Sequence, residues 1–219
     1  MTLGGRGRGF ATTVFGPIAD LLVRLRVSPD AVTFAGTFAV VAVALTLFPT
    51  GRLLAGALLV AIFALTDAID GQMARRLGRT GPWGAFLDST LDRFADGAVF
   101  AGLVLWGARA QVTGGGLNDP DAASVAALAC LLLGSIVPYA RARAEGLGMS
   151  ASVGVAERTD RLVVALTATA AVGLGAPVWV LTGALGLLAI ASAITIGQRM
   201  TAVYRQSMAR QGGASGVNG

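Results

Sequence analysis

The chain of 219 residues has no lysine, no histidine and one cysteine, and only 12 acidic side chains. Without histidine, a carboxylate is the natural general base. With Cys130 alone, no internal disulfide can form, and a small buried apolar residue is the simplest reading of it. Charged residues make up 13% of the chain, against about 25% in a soluble domain. No alternating strand pattern and no internal repeat is found. These absences point away from a soluble globular domain and towards a membrane.

What is present agrees. Hydrophobic residues reach 54% and mean hydropathy is +0.70. Six apolar runs, near 31–48, 53–74, 84–107, 122–144, 159–174 and 177–202, predict an all-α integral membrane protein with six transmembrane helices. Several have the ~20 residues that cross the hydrocarbon core; the fifth is short. The 31 glycines fit, since small residues let membrane helices approach closely.

All 17 cations are arginine, and the net charge is +5. Fourteen lie before the first run, after the second, around the loop that follows the fourth, or at the end of the chain. Arg52 and Arg109 fall on the other side, and Arg93 lies inside a run. By the positive-inside rule, both termini and the 75–83 and 145–158 loops are expected to face the cytoplasm; the expected location is the cell (plasma) membrane. The basic balance therefore reads as topology and contact with anionic membrane lipid, with no nucleic-acid role.

The first 27 residues do not form a signal peptide, because Asp20, Arg24 and Arg26 interrupt the apolar stretch and no cleavage site follows. Phe10, Val14, Ile18, Leu21, Leu22 and Leu25 recur at helical spacing, predicting an amphipathic juxtamembrane helix. The organisation expected is an interfacial segment (1–27), a six-helix membrane domain (28–205) and a disordered cytoplasmic tail (206–219).

The segment DAIDGQMARRLGRTGPWGAFLDSTLD, Asp67 to Asp92, places acids where two apolar runs meet. Asp67 and Asp70 share one helix face; Asp88, Asp92 and Asp96 share another. The intervening RRLGRTGP is a turn. An Asp near the centre of a spanning helix costs about 2.5–3.5 kcal/mol, less towards the interface. Arg75 and Arg93 can neutralise some of this charge, but like charges held close also repel. A cation relieves both costs. Carboxylates without Cys or His select hard ions, Mg²⁺ ahead of Zn²⁺, and two pairs can hold two ions. Gly71, Ala74 and Gly84 leave an opening beside the acids for a flat base or ribose; isolated glycines otherwise mean close helix packing.

The pattern D-x₂-D-G-x₂-A-R-x₈-G-x₃-D-x₃-D resembles the signature of the CDP-alcohol phosphotransferases. The resemblance covers nearly the whole chain and implies a Mg²⁺- or Mn²⁺-dependent enzyme, usually a homodimer. An acceptor hydroxyl attacks the lipid-bearing phosphorus of a CDP-linked lipid such as CDP-diacylglycerol, and CMP leaves. It implies that Asp67, Asp70 and Asp88 are metal ligands, and that Asp92 both approaches the metals and takes the acceptor's proton. Gly71 and Arg75 contact the CDP moiety. SPDAVT is similar to the family's Pro-(Asn/Asp)-x-x-Thr element, which adds Asp30, Ala31, Val32 and Thr33. Thr80 and Gly81 share the neighbourhood of a hydroxyl residue found late in the loop of close relatives.

The acceptor is suggested by a second set of arginines. Arg141, Arg158 and Arg199 lie at three helix ends and read either as topology anchors or as a phosphate site. Their segments resemble actinobacterial phosphatidylinositol phosphate synthases, which implies myo-inositol 1-phosphate as the acceptor. Arg141 stands where lysine is common, and Pro138 where some members have serine. A phosphatidylglycerophosphate synthase would share the mechanism, but the Arg-Glu pair common there is missing. A cation-coupled transporter should show inverted repeats and acids near the midplane, and neither is found.

Overall fold

The computed structural model describes residues 15–78, 81–110, 116–155 and 158–215, without the side chains of 67, 68 and 212–215. Among the described residues every regular element is helical: α1 (residues 15–24), α2 (Pro29–Leu47), α3 (Leu53–Ala64), α4 (Thr66–Arg76), α5 (Pro82–Arg109), a 3₁₀ turn (Gly116–Asn118), α6 (Pro120–Gly146), α7 (Arg158–Gly173) and α8 (Val178–Ser215). Two compact units, residues 1–102 and 103–219, divide the chain within α5. Among the described residues, four helical stretches are long and apolar enough to cross a membrane: α2, α3 with α4, α6 and α8.

In the first unit α2 packs against α3 and α4. Ser28 starts α2 by accepting the Ala31 N–H on its hydroxyl at 3.2 Å, with Pro29 in the first turn. At the other end Gly51, at φ 77°, turns the chain into α3. Phe48 is fully buried there, with the bare faces of Gly56 and Gly102 against its ring. These glycines do serve close packing.

The second expected span is broken in two. The Leu65 N–H bonds Ile62 O at 3.2 Å and the Thr66 hydroxyl bonds Phe63 O at 2.6 Å, a tight turn that ends α3 and starts the polar α4. Thr66 fits because it lies over Gly36; a Cβ there would collide with its hydroxyl.

The N-terminal helix has two apolar sides. Phe15, Ala19, Leu22 and Val23 pack with Ile69 and Met73 of α4, and Arg76 pairs with Asp20 and donates to Gly16 O. Ile18, Leu21 and Leu25 are exposed. Leu22, placed by its spacing on the lipid-facing side, therefore belongs to the protein side. Phe10 and Val14 lie outside the described residues.

In the second unit α8 packs against α6 and α7. Asp119 caps α6 at the Asp121 N–H, and Cys130, buried as expected, donates to Leu185 O at 3.1 Å. The tail needs correction. Residues 206–215 continue α8 as helix. Gln206 and Arg210 hydrogen-bond the chain that follows α6, which gives this stretch the packing partners its composition did not reveal.

Candidate active site

The first turns of α2 and α5 and the body of α4 enclose a cavity of about 550 Å³. Its wall includes Asp30 and Thr33 from α2, Asp70, Gly71, Ala74 and Arg75 from α4, and Gly81, Gly84 and Asp88 from the start of α5. The segments expected to meet the nucleotide thus converge on one space. Asp70 is buried and accepts the Thr33 hydroxyl at 2.6 Å. Asp88 is exposed, on the same wall.

Two readings of the glycines can now be separated. A Cβ on Gly71 would meet only Arg75 Nη1, at 3.6 Å, and on Gly81 or Gly84 nothing within 4 Å. Their faces are open to the cavity, unlike those of Gly36, Gly56 and Gly102, which meet neighbouring helices.

Not every expected residue lies on this wall. Ala31 and Val32 do not: Ala31 gives its N–H to the Ser28 cap, and Val32 packs against the α1–α4 cluster. Thr80 and the Asp67 side chain lie outside the described residues. Asp92 follows Asp88 by one helical turn, about 6 Å along the axis, and is not on the wall. Arg93 Nη2 lies 3.6 Å from Asp92 and 3.9 Å from Asp96, giving both a counter-ion. Among the described residues no three acids gather into a complete metal site.

The arginines of the second unit form a separate group. Arg199 is half-buried; its Nε donates to Val153 O at 3.0 Å and its Nη1 to Val137 O. Arg141 and Arg161 both act electrostatically on Arg199. Arg141 is exposed and pairs with Glu145 at 2.8 Å, Arg158 opens α7, and Arg161, one turn on, is buried. Pro138 interrupts the bonding of α6 one residue after Val137.

Residues 26–194 match the CDP-alcohol phosphatidyltransferase family. The chain belongs to that family. The phosphatidylinositol phosphate synthase of Streptomyces avermitilis is 45% identical over 206 residues, covering 91% of this chain and 82% of that protein. That of Cutibacterium acnes is 46% identical over 199 residues, covering 88% and 93%. The crystal structure of Mycobacterium tuberculosis phosphatidylinositol phosphate synthase with CDP-DAG bound aligns with a TM-score of 0.78 at 42% identity, over 88% of this chain and 94% of that one. Its complex with manganese and citrate gives 0.79 at 42% identity, over 87% and 89%.

Two residues of this phosphatidyltransferase stand out beyond the expected set. Trp83 borders the cavity, and its indole N–H donates to Asp30 at 3.1 Å, joining the first turns of α2 and α5. An aromatic directly after Pro82 in a turn beside the acids was the available signal. Arg161 is the other. It lies one turn from Arg158, and its burial could not be read from a loop-flanking position.

Proposed function

We propose that this chain is a six-span membrane enzyme that transfers the phosphatidyl group of CDP-diacylglycerol to myo-inositol 1-phosphate and releases CMP. One observation carries the reading: Asp70 and Asp88, Gly71 and Gly84, and Asp30 and Thr33 of the first span line a single cavity. The relatives named phosphatidylinositol phosphate synthase and the relative's complex with CDP-DAG support the donor and acceptor. Completing six crossings requires α5 and α7. At 28 and 16 residues they extend about 42 Å and 24 Å, and α5 carries its acids in its first half and at its midpoint. The arginine distribution supports a cytoplasmic site and cytoplasmic termini.

The donor set suits Mg²⁺ or Mn²⁺. Asp70 and Asp88 border the same cavity, and no histidine or thiol competes for a softer ion. We assign Asp67, Asp70, Asp88 and Asp92 to hold two ions, and the relative's manganese complex supports divalent metal use. When bound, such ions neutralise charge building on the pyrophosphate oxygens.

The remaining work falls to the chain's own residues. Thr33 fixes the Asp70 carboxylate, Arg75 supplies a guanidinium to the donor phosphates, and the faces of Gly71 and Gly84 admit the nucleoside. The acceptor oxygen forms a bond to the lipid-bearing phosphorus while the bond from that phosphorus to the CMP oxygen breaks. The hydroxyl proton passes to Asp92. Arg141, Arg158 and Arg199 hold the acceptor's phosphate; Arg199 keeps three of its five N–H groups for it after the two backbone bonds. Incubating the purified protein with CDP-diacylglycerol and labelled inositol phosphate, glycerol 3-phosphate, serine or free inositol tests this. Lipid product from inositol phosphate alone is expected; product from another acceptor alone refutes the assignment.

A further inference from the structure

The chain between α6 and α7 is bonded to α8 at four places. Arg210 donates to Leu147 O, at 3.3 Å, and to Gly148 O. Gln206 and Ser150 exchange two bonds: the Ser150 N–H reaches the Gln206 amide oxygen at 2.9 Å, and the Gln206 amide nitrogen reaches Ser150 O at 2.6 Å. Arg199 donates to Val153 O, and the Thr195 hydroxyl accepts the Val155 N–H at 3.2 Å. Loop number rises as helix number falls, so the loop runs antiparallel along α8. At about 100° per residue, positions 195, 199, 206 and 210 fall within roughly 60° of arc and form one stripe. From 195 to 210 the helix rises about 22 Å, so the loop is fastened along about four turns of α8. Ala151 is buried within it, and Gly154 meets the Thr195 methyl so closely that a Cβ would lie 2.7 Å away.

Val155, the last loop residue bonded to α8, lies three residues before Arg158, and one of the four fasteners is Arg199. Both are assigned above to the acceptor's phosphate. Gln206 is a different kind of residue. It carries no charge, and its amide satisfies both polar groups of one loop residue, as a neighbouring strand would.

We propose that Gln206, with Arg210 beyond it, is a positioning residue for acceptor binding: the extension of α8 holds the α6–α7 loop in the register that aims Arg158 and Arg199 at the acceptor phosphate. This rests on the acceptor reading above. Replacing the glutamine with leucine keeps helix propensity, shortens the side chain by one atom and removes both bonds. In the full-length enzyme, Gln206→Leu should raise the KM for inositol 1-phosphate about three- to tenfold, the value of one or two net hydrogen bonds. The KM for CDP-diacylglycerol and kcat should hold, and amide exchange should quicken over 149–155. Gln206→Glu, which keeps the acceptor for the Ser150 N–H and loses the donor, should fall between, and it carries the test if the leucine variant does not fold. Arg205→Ala, off the stripe, serves as the control. An unchanged acceptor KM for Gln206→Leu beside a raised one for Arg158→Ala overturns the positioning role alone. Unchanged values for both overturn the acceptor reading with it. A matching loss in kcat and in both KM values overturns it too, because the glutamine is then a general stabiliser.

Discussion

Thr33, one turn into α2, donates its hydroxyl to the Asp70 carboxylate at 2.6 Å, across 37 residues of sequence. This bond ties the start of α2 to the acidic motif. The same hydroxyl lies 3.1 Å from Pro29 O. Its single proton cannot serve both fully, and the shorter, charge-assisted bond to Asp70 is the stronger.

Thr33→Val keeps the shape and removes the donor. Partners that orient a metal-ligating carboxylate are worth about 10- to 100-fold in metal affinity, and that is the loss expected in Mn²⁺ titration, with a similar fall in kcat/KM. Thr33→Ser should retain most of both. Mn²⁺ affinity within twofold of the parent for Thr33→Val would remove Thr33 from the metal's support.

Among the acids, Asp67→Asn, Asp70→Asn and Asp88→Asn should each abolish turnover and weaken Mn²⁺ binding. Asp92→Asn should abolish turnover while keeping more of its affinity for CDP-diacylglycerol, because a lost proton acceptor acts on the transition state. Substantial activity in Asp92→Asn would end its role as the base. Asp96, one turn further and sharing Arg93 with Asp92, should affect stability more than chemistry.

The glycines offer a paired test. Gly84→Leu places its side chain in open space and improves helix propensity, so the fold should hold while the KM for CDP-diacylglycerol rises at least tenfold. Gly102→Ala drives a methyl into the Ala44 carbonyl and the Phe48 ring. It should cost about 1–3 kcal/mol of stability, seen as a lower Tm, with little effect on the KM of protein that stays folded. A normal KM in Gly84→Leu would mean that the nucleotide does not lie against α5.

Orientation can be read by cysteine labelling in a Cys130→Ser background, which keeps a donor for Leu185 O. A cysteine at Leu117, exposed in the 3₁₀ turn, should react with an impermeant reagent from outside; one at Ser152, exposed between α6 and α7, should not. The reverse pattern would put the acids on the side away from cytoplasmic CDP-lipid.

How much of this was legible follows from the range of each signal. The helices were legible, because apolar run length is a local property. So was the cavity beside the acids, because Asp70, Gly71, Arg75, Gly84 and Asp88 lie on two consecutive helices joined by a short turn. The break at Leu65 was not, since it depends on Thr66 finding room over Gly36, thirty residues away. The helical course of residues 206–215 was hidden for the same reason: QSMARQGGAS has no apolar face, and its partners are backbone groups of residues 147–150. Backbone carbonyls leave no mark in a sequence.

The arginines carry the last prediction, and the structure makes their roles unequal. Arg141 is exposed and already paired with Glu145, so Arg141→Ala removes one charged contact to the acceptor. A charged hydrogen bond is worth about 1.5–3 kcal/mol, or roughly a ten- to hundredfold rise in the KM for inositol 1-phosphate. Arg158→Ala should behave alike. Arg199→Ala also releases Val137 O and Val153 O, so it should add faster amide exchange over 149–155 and a lower Tm to its raised KM. Arg199→Lys restores the charge but not the fork that reaches two carbonyls, and should recover less than half of the loss. CDP-diacylglycerol binding should stay near the parent value in all four, because its contacts are assigned to α2, α4 and α5. If glycerol 3-phosphate is used as well as inositol phosphate, and the alanine variants lose nothing specific to the acceptor, the arginines are anchors of topology and of the loop. The donor chemistry at the acidic motif would then stand without an assigned acceptor.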